Sequence, residues 1–430
     1  MHTPGDYLEI EGGKTLSGTI KAAGNKNAAL PILAATLLTD ETVTLKNLPN
    51  IGDVRVMLQV LQELGCEVTY DGDTAVITPK NINRSTISHA LCSRIRTSIL
   101  FVAPLLVRTG KASIYPPGGD VIGRRRLDAH FYGLQRMGAT VEFGKRFDFE
   151  LENGFQGKDL FFDEASVTAT EHILTAAVLA KGTTVIRNAA SEPHVQDLAR
   201  FLIGMGAKID GLNTNTMTIE GVDKLHGVTH EICGDHIEVG SFLTLGAVTG
   251  GAMTVEGVRR SDYWMINRVF ERFGVNLQFD GNNVSIPANI DLKVKKDFGG
   301  HIPRVDDGPW PQFPSDLMSS MIILATQAEG TVLFFEKMFE SRLYFVDRLI
   351  SMGASAIVCD PHRVVVSGPA KLHGIEMSSP DIRAGMALLT AALCAEGASI
   401  VRNMKMVDRG YSNLDEKLKN LGASINRVTI

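Results

Sequence analysis

VRVMLQVLQELGCEVTYDGDTAVI, residues 54–77, decides the fold. Val54, Met57, Leu58, Leu61 and Leu64 recur at helical spacing and predict a helix with one buried stripe. Gly65 suits the left-handed residue that ends such a helix. Glu67–Tyr70 and Ala75–Thr78 then flank Asp71-Gly72-Asp73, which reads as a hairpin. Upstream lie a strand at Val43–Leu45 and a more apolar helix at Ala28–Leu38. The order is helix, strand, helix, hairpin.

The junction recurs. LQELGCEV, LQRMGATV, LIGMGAKI, FERFGVNL, LISMGASA and LKNLGASI place Gly65, Gly138, Gly206, Gly274, Gly353 and Gly422 at intervals of 73, 68, 68, 79 and 69 residues. One folding unit is therefore used six times. A length of 430 residues alone suggests about three domains. The repeat favours two domains of three units instead. Alternating helices and strands put the fold in the α/β class.

The first helices of the six units begin in NKNAALPILAATLL, SRIRTSILFVAPLLV, ASVTATEHILTAAVLA, DHIEVGSFLTLGAV, PSDLMSSMIILATQA and PDIRAGMALLTAALCA. Most are apolar nearly all round, which predicts interior helices. The sixth unit ends early, at Ile430. The opening LEIEGGKTLSGTI resembles MTIEGVDKLHGVT (217–229) and VVVSGPAKLHGIE (364–376), so the N-terminal strand is expected to complete the last unit. One domain then spans 25–232, with crossovers near Gly24 and Cys233; the other holds 1–24 and 233–430.

A net charge of −5 argues against a dedicated nucleic-acid binder. The N-terminus lacks the basic start and apolar run of a signal peptide. No apolar run approaches the ~20 residues that span a bilayer. Five scattered cysteines show neither CxxC pairs nor zinc spacing. A reduced cytoplasm is the expected compartment. GxxxxGK[ST], GxSxG and HExxH are all absent, and no metal or cofactor is called for.

Comparing the units exposes residues that break their pattern. Helix N-termini favour Asp, Glu, Ser or Thr, yet three first helices start with Lys26, Arg96 and Arg383. The equivalent position in FPSDLMSS holds Asp316, which an ordinary N-cap explains equally well. A solvated lysine is the plainer reading of Lys26, weakened by the buried helix that follows. The loop after each unit's strand holds Arg125, Glu192, Arg260, Arg342 or Arg409. Such loops lie at strand carboxyl ends, where ligands bind. A lone loop arginine is usually solvated. Four at matched positions, with three helix-start cations, point to a multiply anionic ligand, whose carboxylates or phosphates suit the planar guanidinium fork. Tyr115-Pro116-Pro117-Gly118-Gly119-Asp120 reads as an exposed loop at 115–124, a tight turn or a lid.

KNAALPILAA, PPGG…IG.R…DAH, FPSDL, ESR and DRGY together give the chain a resemblance, over essentially its whole length, to the enolpyruvyl transferases that act on UDP-N-acetylglucosamine; the shikimate-pathway enolpyruvyl transferases are more distant. The resemblance implies two domains of three units each, an inside-out α/β barrel architecture, with the active site in the cleft between them. It implies transfer of enolpyruvyl from phosphoenolpyruvate to the sugar 3′-hydroxyl by addition and elimination, at the entry to peptidoglycan precursor synthesis, without a metal. Lys26 and Asn27 match the phosphoenolpyruvate pair, Arg125 and Arg409 phosphate ligands, and Arg342 and Arg383 carboxylate ligands. Arg96, Arg125, Arg126, Leu127, Asp128, Ala129, Glu164, Ala165, Ser166, Val167 and Met338 match positions at the nucleotide sugar. Asp316 matches the group that takes the 3′-hydroxyl proton. Asp120 stands at the lid position that is Cys in many members.

Asp120 has consequences. A free Asp has a pKa of about 3.9, so Asp120 must be protonated in the closed site to act as an acid; bound phosphate and desolvation push it that way. Fosfomycin alkylates the family's Cys, so this chain is expected to resist it. Mass spectrometry showing fosfomycin attached to Asp120 would contradict this. Glu164 stands where a Lys is common, and VDDGPWPQFPSD (305–316) places Asp306, Asp307 and Trp310 near the expected acceptor site. Both features motivate a second reading, a different nucleotide or metabolite acceptor. A third is a binding protein that keeps the cleft without turnover.

Overall fold

The computed structural model describes residues 6–119 and 126–429. These residues fall into two compact units. One comprises 24–119 and 126–233; the other comprises 6–23 and 234–429.

The first repeat illustrates the plan. Helix Lys26–Ala35 continues as a 3-10 turn, Thr36–Leu38, and leads to strand Val43–Lys46. Helix Gly52–Leu64 follows, ending on Gly65 at φ 105°. Strands Glu67–Asp71 and Thr74–Thr78 form the hairpin. All six repeat glycines have positive φ, between 82° and 111°. Only a residue without Cβ reverses the chain there at no steric cost.

Three repeats take the outer strand of their sheet from the stretch of chain just before them. Asp159–Phe161 runs parallel to Thr183–Arg187, Arg304–Asp306 to Gly330–Phe335, and Glu376–Ser378 to Ala398–Arg402. Two repeats receive theirs from distant sequence. Thr229–Glu231 lies beside Val43–Lys46, and Gly18–Lys21 beside Met253–Glu256. The last sheet is completed by Tyr7–Glu11, which pairs antiparallel with Ala398–Arg402 on one side and Ser424–Val428 on the other.

Both crossovers share a local design. Gly24-Asn25 precedes the first helix of one unit and Gly234-Asp235 that of the other. A Cβ on Gly24 would sit 1.8 Å from the Asn47 carbonyl oxygen; one on Gly234 would sit 2.2 Å from that of Gly257. Asn25 then caps its helix through Asn27 N–H and Ala28 N–H, and Asp235 through Ile237 N–H and Glu238 N–H. Glu238 accepts from Ala23 N–H at 2.7 Å and from Lys417 Nζ at 2.5 Å, fixing the strand that enters its unit. In the other unit Asp197 accepts from Cys233 N–H at 3.0 Å.

The first helices are interior. Nine of the ten residues of Lys26–Ala35 are buried, as is nearly all of Ile382–Cys394. Each unit has its own apolar core, centred on side chains such as Leu174 and Phe201 in one and Phe242 and Phe334 in the other.

Candidate active site

In the unit holding the C-terminal half, three interior helices pack on one another: His236–Thr249, Ser315–Gln327 and Ile382–Cys394. Their N-terminal residues meet. Asp316, second in its helix, accepts from Arg342 Nη2 at 2.8 Å through one oxygen and from Arg383 Nε at 3.0 Å through the other. Both arginine side chains are almost wholly buried, at 3% and 5% exposure, whereas 28% of the Asp316 side chain reaches solvent. Burial opposes charge on Asp316, but the Arg383 and Arg342 guanidiniums overcome it and hold the carboxyl well below the usual carboxylate range.

The surroundings fix this geometry. Asp381 caps its helix through Arg383 N–H and Ala384 N–H, which offsets the cation at the second helical position. The Arg383 guanidinium lies over the Tyr411 ring, and the Tyr411 hydroxyl bonds Ser241 at 3.0 Å. Arg342 lies over Phe339. Two buried donors, Arg342 Nε and Arg383 Nη1, find no hydrogen-bond partner among the described residues. Buried guanidinium N–H groups without acceptors are costly, so this cluster has capacity for another anion. His236 is buried beside it. Burial, with Arg383 adding to it, presses His236 down to about 3, so the ring is neutral.

In the other unit Lys26 opens its helix, is 9% exposed, and bonds Asp53 at 2.8 Å. It is neither solvated nor isolated. Asn27 follows, half-buried, with its N–H on the Asn25 side chain. Arg96 opens a 3-10 turn, Arg96–Phe101, rather than an α-helix; the α-helix begins at Val102. Its Nη2 donates to the Arg126 carbonyl at 3.1 Å, tying it to the segment Arg126–Ala129. Leu127 precedes helix Asp128–Arg136, and Asp128 pairs with Arg126 at 2.9 Å on the surface. Ala165, Ser166 and Val167 form the N-terminus of helix Val167–Ala177, which Ser166 caps through Ala169 N–H. Glu164 is exposed and its carbonyl accepts from Ser166 N–H.

These two segments are joined underneath by a buried relay. Ala103 N–H donates to His172 Nε2 at 3.0 Å, the two histidine Nδ1 atoms lie 3.0 Å apart, and His130 Nε2 meets Thr168 Oγ1 at 3.1 Å. Since His172 Nε2 must accept, its proton sits on Nδ1; His130 then accepts there and donates through Nε2. Burial lowers both pKa values, that of His172 to about 3.

Other expected positions are placed differently. Arg409 is half-buried near Met406. Glu192 precedes helix Pro193–Gly204. Arg260 is exposed, over the rings of Trp264 and Phe279, and its neighbour Arg259 acts electrostatically on His236. Asp306 pairs with Arg304 and Lys337, and Asp307 is fully buried, accepting from Lys337 N–H. Trp310 stands edge-on to His236. The acids of 305–310 are thus held by the protein itself. Met338 is 38% exposed, its N–H on Glu336. Burial and Asp307 push Glu336 up to about 9. Asp120 and Arg125 lie outside the described residues.

Sequence reasoning missed His236, Asp381, Tyr411 and the histidine relay. The first had a signal: His236 occupies the position of Lys26 in the repeat. Among the described residues no cluster of His, Cys, Asp or Glu could hold a metal ion, and no helix is long and apolar enough to cross a membrane.

The sequence matches the EPSP synthase (3-phosphoshikimate 1-carboxyvinyltransferase) family over residues 10–418. Its relatives include UDP-N-acetylglucosamine 1-carboxyvinyltransferases from Borreliella burgdorferi, 51% identical over 97% of this chain and 98% of that one, and from Bradyrhizobium diazoefficiens, 50% identical over 99% and 98%. A third, from Bacteroides thetaiotaomicron, is 46% identical over 97% and 99%. Among solved structures, the enolpyruvyl transferase NikO from Streptomyces tendae aligns with a TM-score of 0.87 at 24% identity, over 99% of this chain and all of that one. EPSP synthase from Acinetobacter baumannii aligns at 0.77 with 16% identity and the same coverage.

Proposed function

The chain belongs to the EPSP synthase (3-phosphoshikimate 1-carboxyvinyltransferase) family, and from that premise we propose that it transfers the enolpyruvyl group of phosphoenolpyruvate to the 3′-hydroxyl of UDP-N-acetylglucosamine, releasing phosphate. The observation that carries this acceptor is the identity of about half, along almost the full length, to enzymes named for that reaction. It favours this acceptor over another nucleotide or metabolite. The product enters peptidoglycan precursor synthesis.

In this reading the two compact units are the family's three-repeat domains of an inside-out α/β barrel, and the protein works in the cytoplasm. Lys26, Asn27, Arg125, Arg342, Arg383 and Arg409 take phosphoenolpyruvate, whose phosphate and carboxylate call for several cations. Arg96, residues 125–129 and 164–167, and Met338 take the nucleotide sugar. The N-terminus of the helix at Val167 suits an anionic group. A proton from Asp120 goes to the methylene carbon of phosphoenolpyruvate while the sugar 3′-oxygen bonds to the adjacent carbon. Asp316 receives the hydroxyl proton. The tetrahedral adduct then loses phosphate and a methyl proton, restoring the double bond in the ether product. Preorganised cations around the adduct lower the barrier without moving.

Phosphate release tests the proposal. Purified protein should release phosphate from phosphoenolpyruvate when UDP-N-acetylglucosamine is added. Background release with it, and brisk release with shikimate 3-phosphate or another acceptor, would sink this reading. Tight nucleotide-sugar binding with no turnover by any acceptor would instead support the binding-protein reading.

A further inference from the structure

The Asp316 cluster contains a contradiction. A base must be free to take a proton, yet both Asp316 oxygens are held by buried arginines. Each arginine gives Asp316 one donor, while Arg342 Nε and Arg383 Nη1 stay buried without acceptors among the described residues. Asp316 is the more exposed partner, and the two cations are fixed by packing over Phe339 and Tyr411. An arriving carboxylate can satisfy the arginines more fully than Asp316 does, because a guanidinium fork prefers two parallel bonds.

We infer that Asp316 is a placeholder anion: in the free protein it occupies the arginines that receive the donor substrate's carboxylate, and donor binding displaces it and so converts it into a working base. This rests on the reading above that Arg342 and Arg383 bind phosphoenolpyruvate. The chemistry runs in one direction. With both arginines on it, Asp316 is held far below the ordinary carboxylate range, so it cannot draw a proton from a sugar hydroxyl. Once the substrate carboxylate takes the guanidiniums, the attraction is lost and burial, which already opposes its charge, raises its proton affinity. Neutral His236, packed by the same cluster, adds no competing charge. Arg259 also acts on His236, Asp381 and Glu336 act on Arg342, and Tyr411 and Asp235 act on Arg383. Deprotonation of the acceptor is thereby confined to the complex in which the donor is present.

Competition makes the inference measurable. Asp316→Asn removes the placeholder charge, so phosphoenolpyruvate should bind this variant more tightly than wild type, by about 5-fold or more. Titration calorimetry with UDP present as a non-reacting nucleotide reads this directly. Repeating it in buffers of different ionisation enthalpy near pH 5 should reveal proton uptake in wild type beyond that in the variant. Equal or weaker binding by the variant, with equal uptake, overturns the inference. That pattern is what a purely structural ion pair gives. If the variant does not fold, infrared difference spectra of wild type decide: the carboxylate stretch of an aspartate should shift on adding phosphoenolpyruvate as Asp316 leaves the guanidiniums, and an unshifted carboxylate band overturns the inference. Failure of wild type to bind phosphoenolpyruvate at all would strike the underlying functional reading instead.

Discussion

At the scale of single residues, two kinds of group do the unusual work. Arg383 is visible in the sequence because a cation at a helix start violates a local rule, Arg342 because its loop position recurs, and Asp316 because it holds the equivalent helix start; the structure brings the three into contact. His130 and His172 broke no rule; their meeting depends on how helices Asp128–Arg136 and Val167–Ala177 pack, which no local pattern encodes. Likewise, Arg259 and Arg260 are adjacent, and only the backbone's turn decides which of them is exposed. The relay makes a sharp prediction. Nitrogen-15 NMR of the imidazoles should find His172 protonated on Nδ1 and His130 on Nε2, with both rings neutral well under pH 6.5. A charged ring at pH 6 would contradict the assignment. His130→Phe strips the acceptor from His172 and should cost roughly 1–3 kcal/mol in a denaturant titration.

At the scale of elements, the crossovers concentrate the constraints. Their glycines admit no side chain, their Asn or Asp caps start a buried helix, and a buried carboxylate anchors each one. The repeat and its order were legible because glycine spacing and apolar pattern are local signals. The 3-10 start at Arg96 was not, because its hydrogen-bond pattern depends on the packing around it. Glu238 offers the test. Burial raises its pKa and Lys417 opposes the rise. Lys417→Met leaves the carboxyl buried and unpaired, at a cost of about 3–5 kcal/mol near neutral pH. Its folded pKa then lies further above the unfolded value of 4.5. Stability associated with the protonated group is complete below 4.5 and is lost as pH rises through the folded pKa. Melting curves of the variant should therefore fall more steeply with rising pH than those of wild type. Parallel curves would show that the pair carries no such linkage.

At the scale of the molecule, two separate cores predict two responses. Leu174→Ala opens a cavity in one core and Phe242→Ala in the other, each costing roughly 2–5 kcal/mol. Scanning calorimetry should resolve two transitions, with each substitution lowering only its own. One transition shifted equally by both would mean the units unfold together. The strand Tyr7–Glu11 adds a constraint of time. Its partners, Ala398–Arg402 and Ser424–Val428, lie almost a whole chain away. At ribosomal rates of ~5–20 residues/s, that strand leaves the exit tunnel on the order of a minute or less before either partner exists. Meanwhile residues 24–119 and 126–233 already hold the partners of their own core. Birth on the ribosome therefore runs inside out: the middle of the chain matures first, while Leu8 and Ile10 wait uncovered, a window in which chaperones have something to hold.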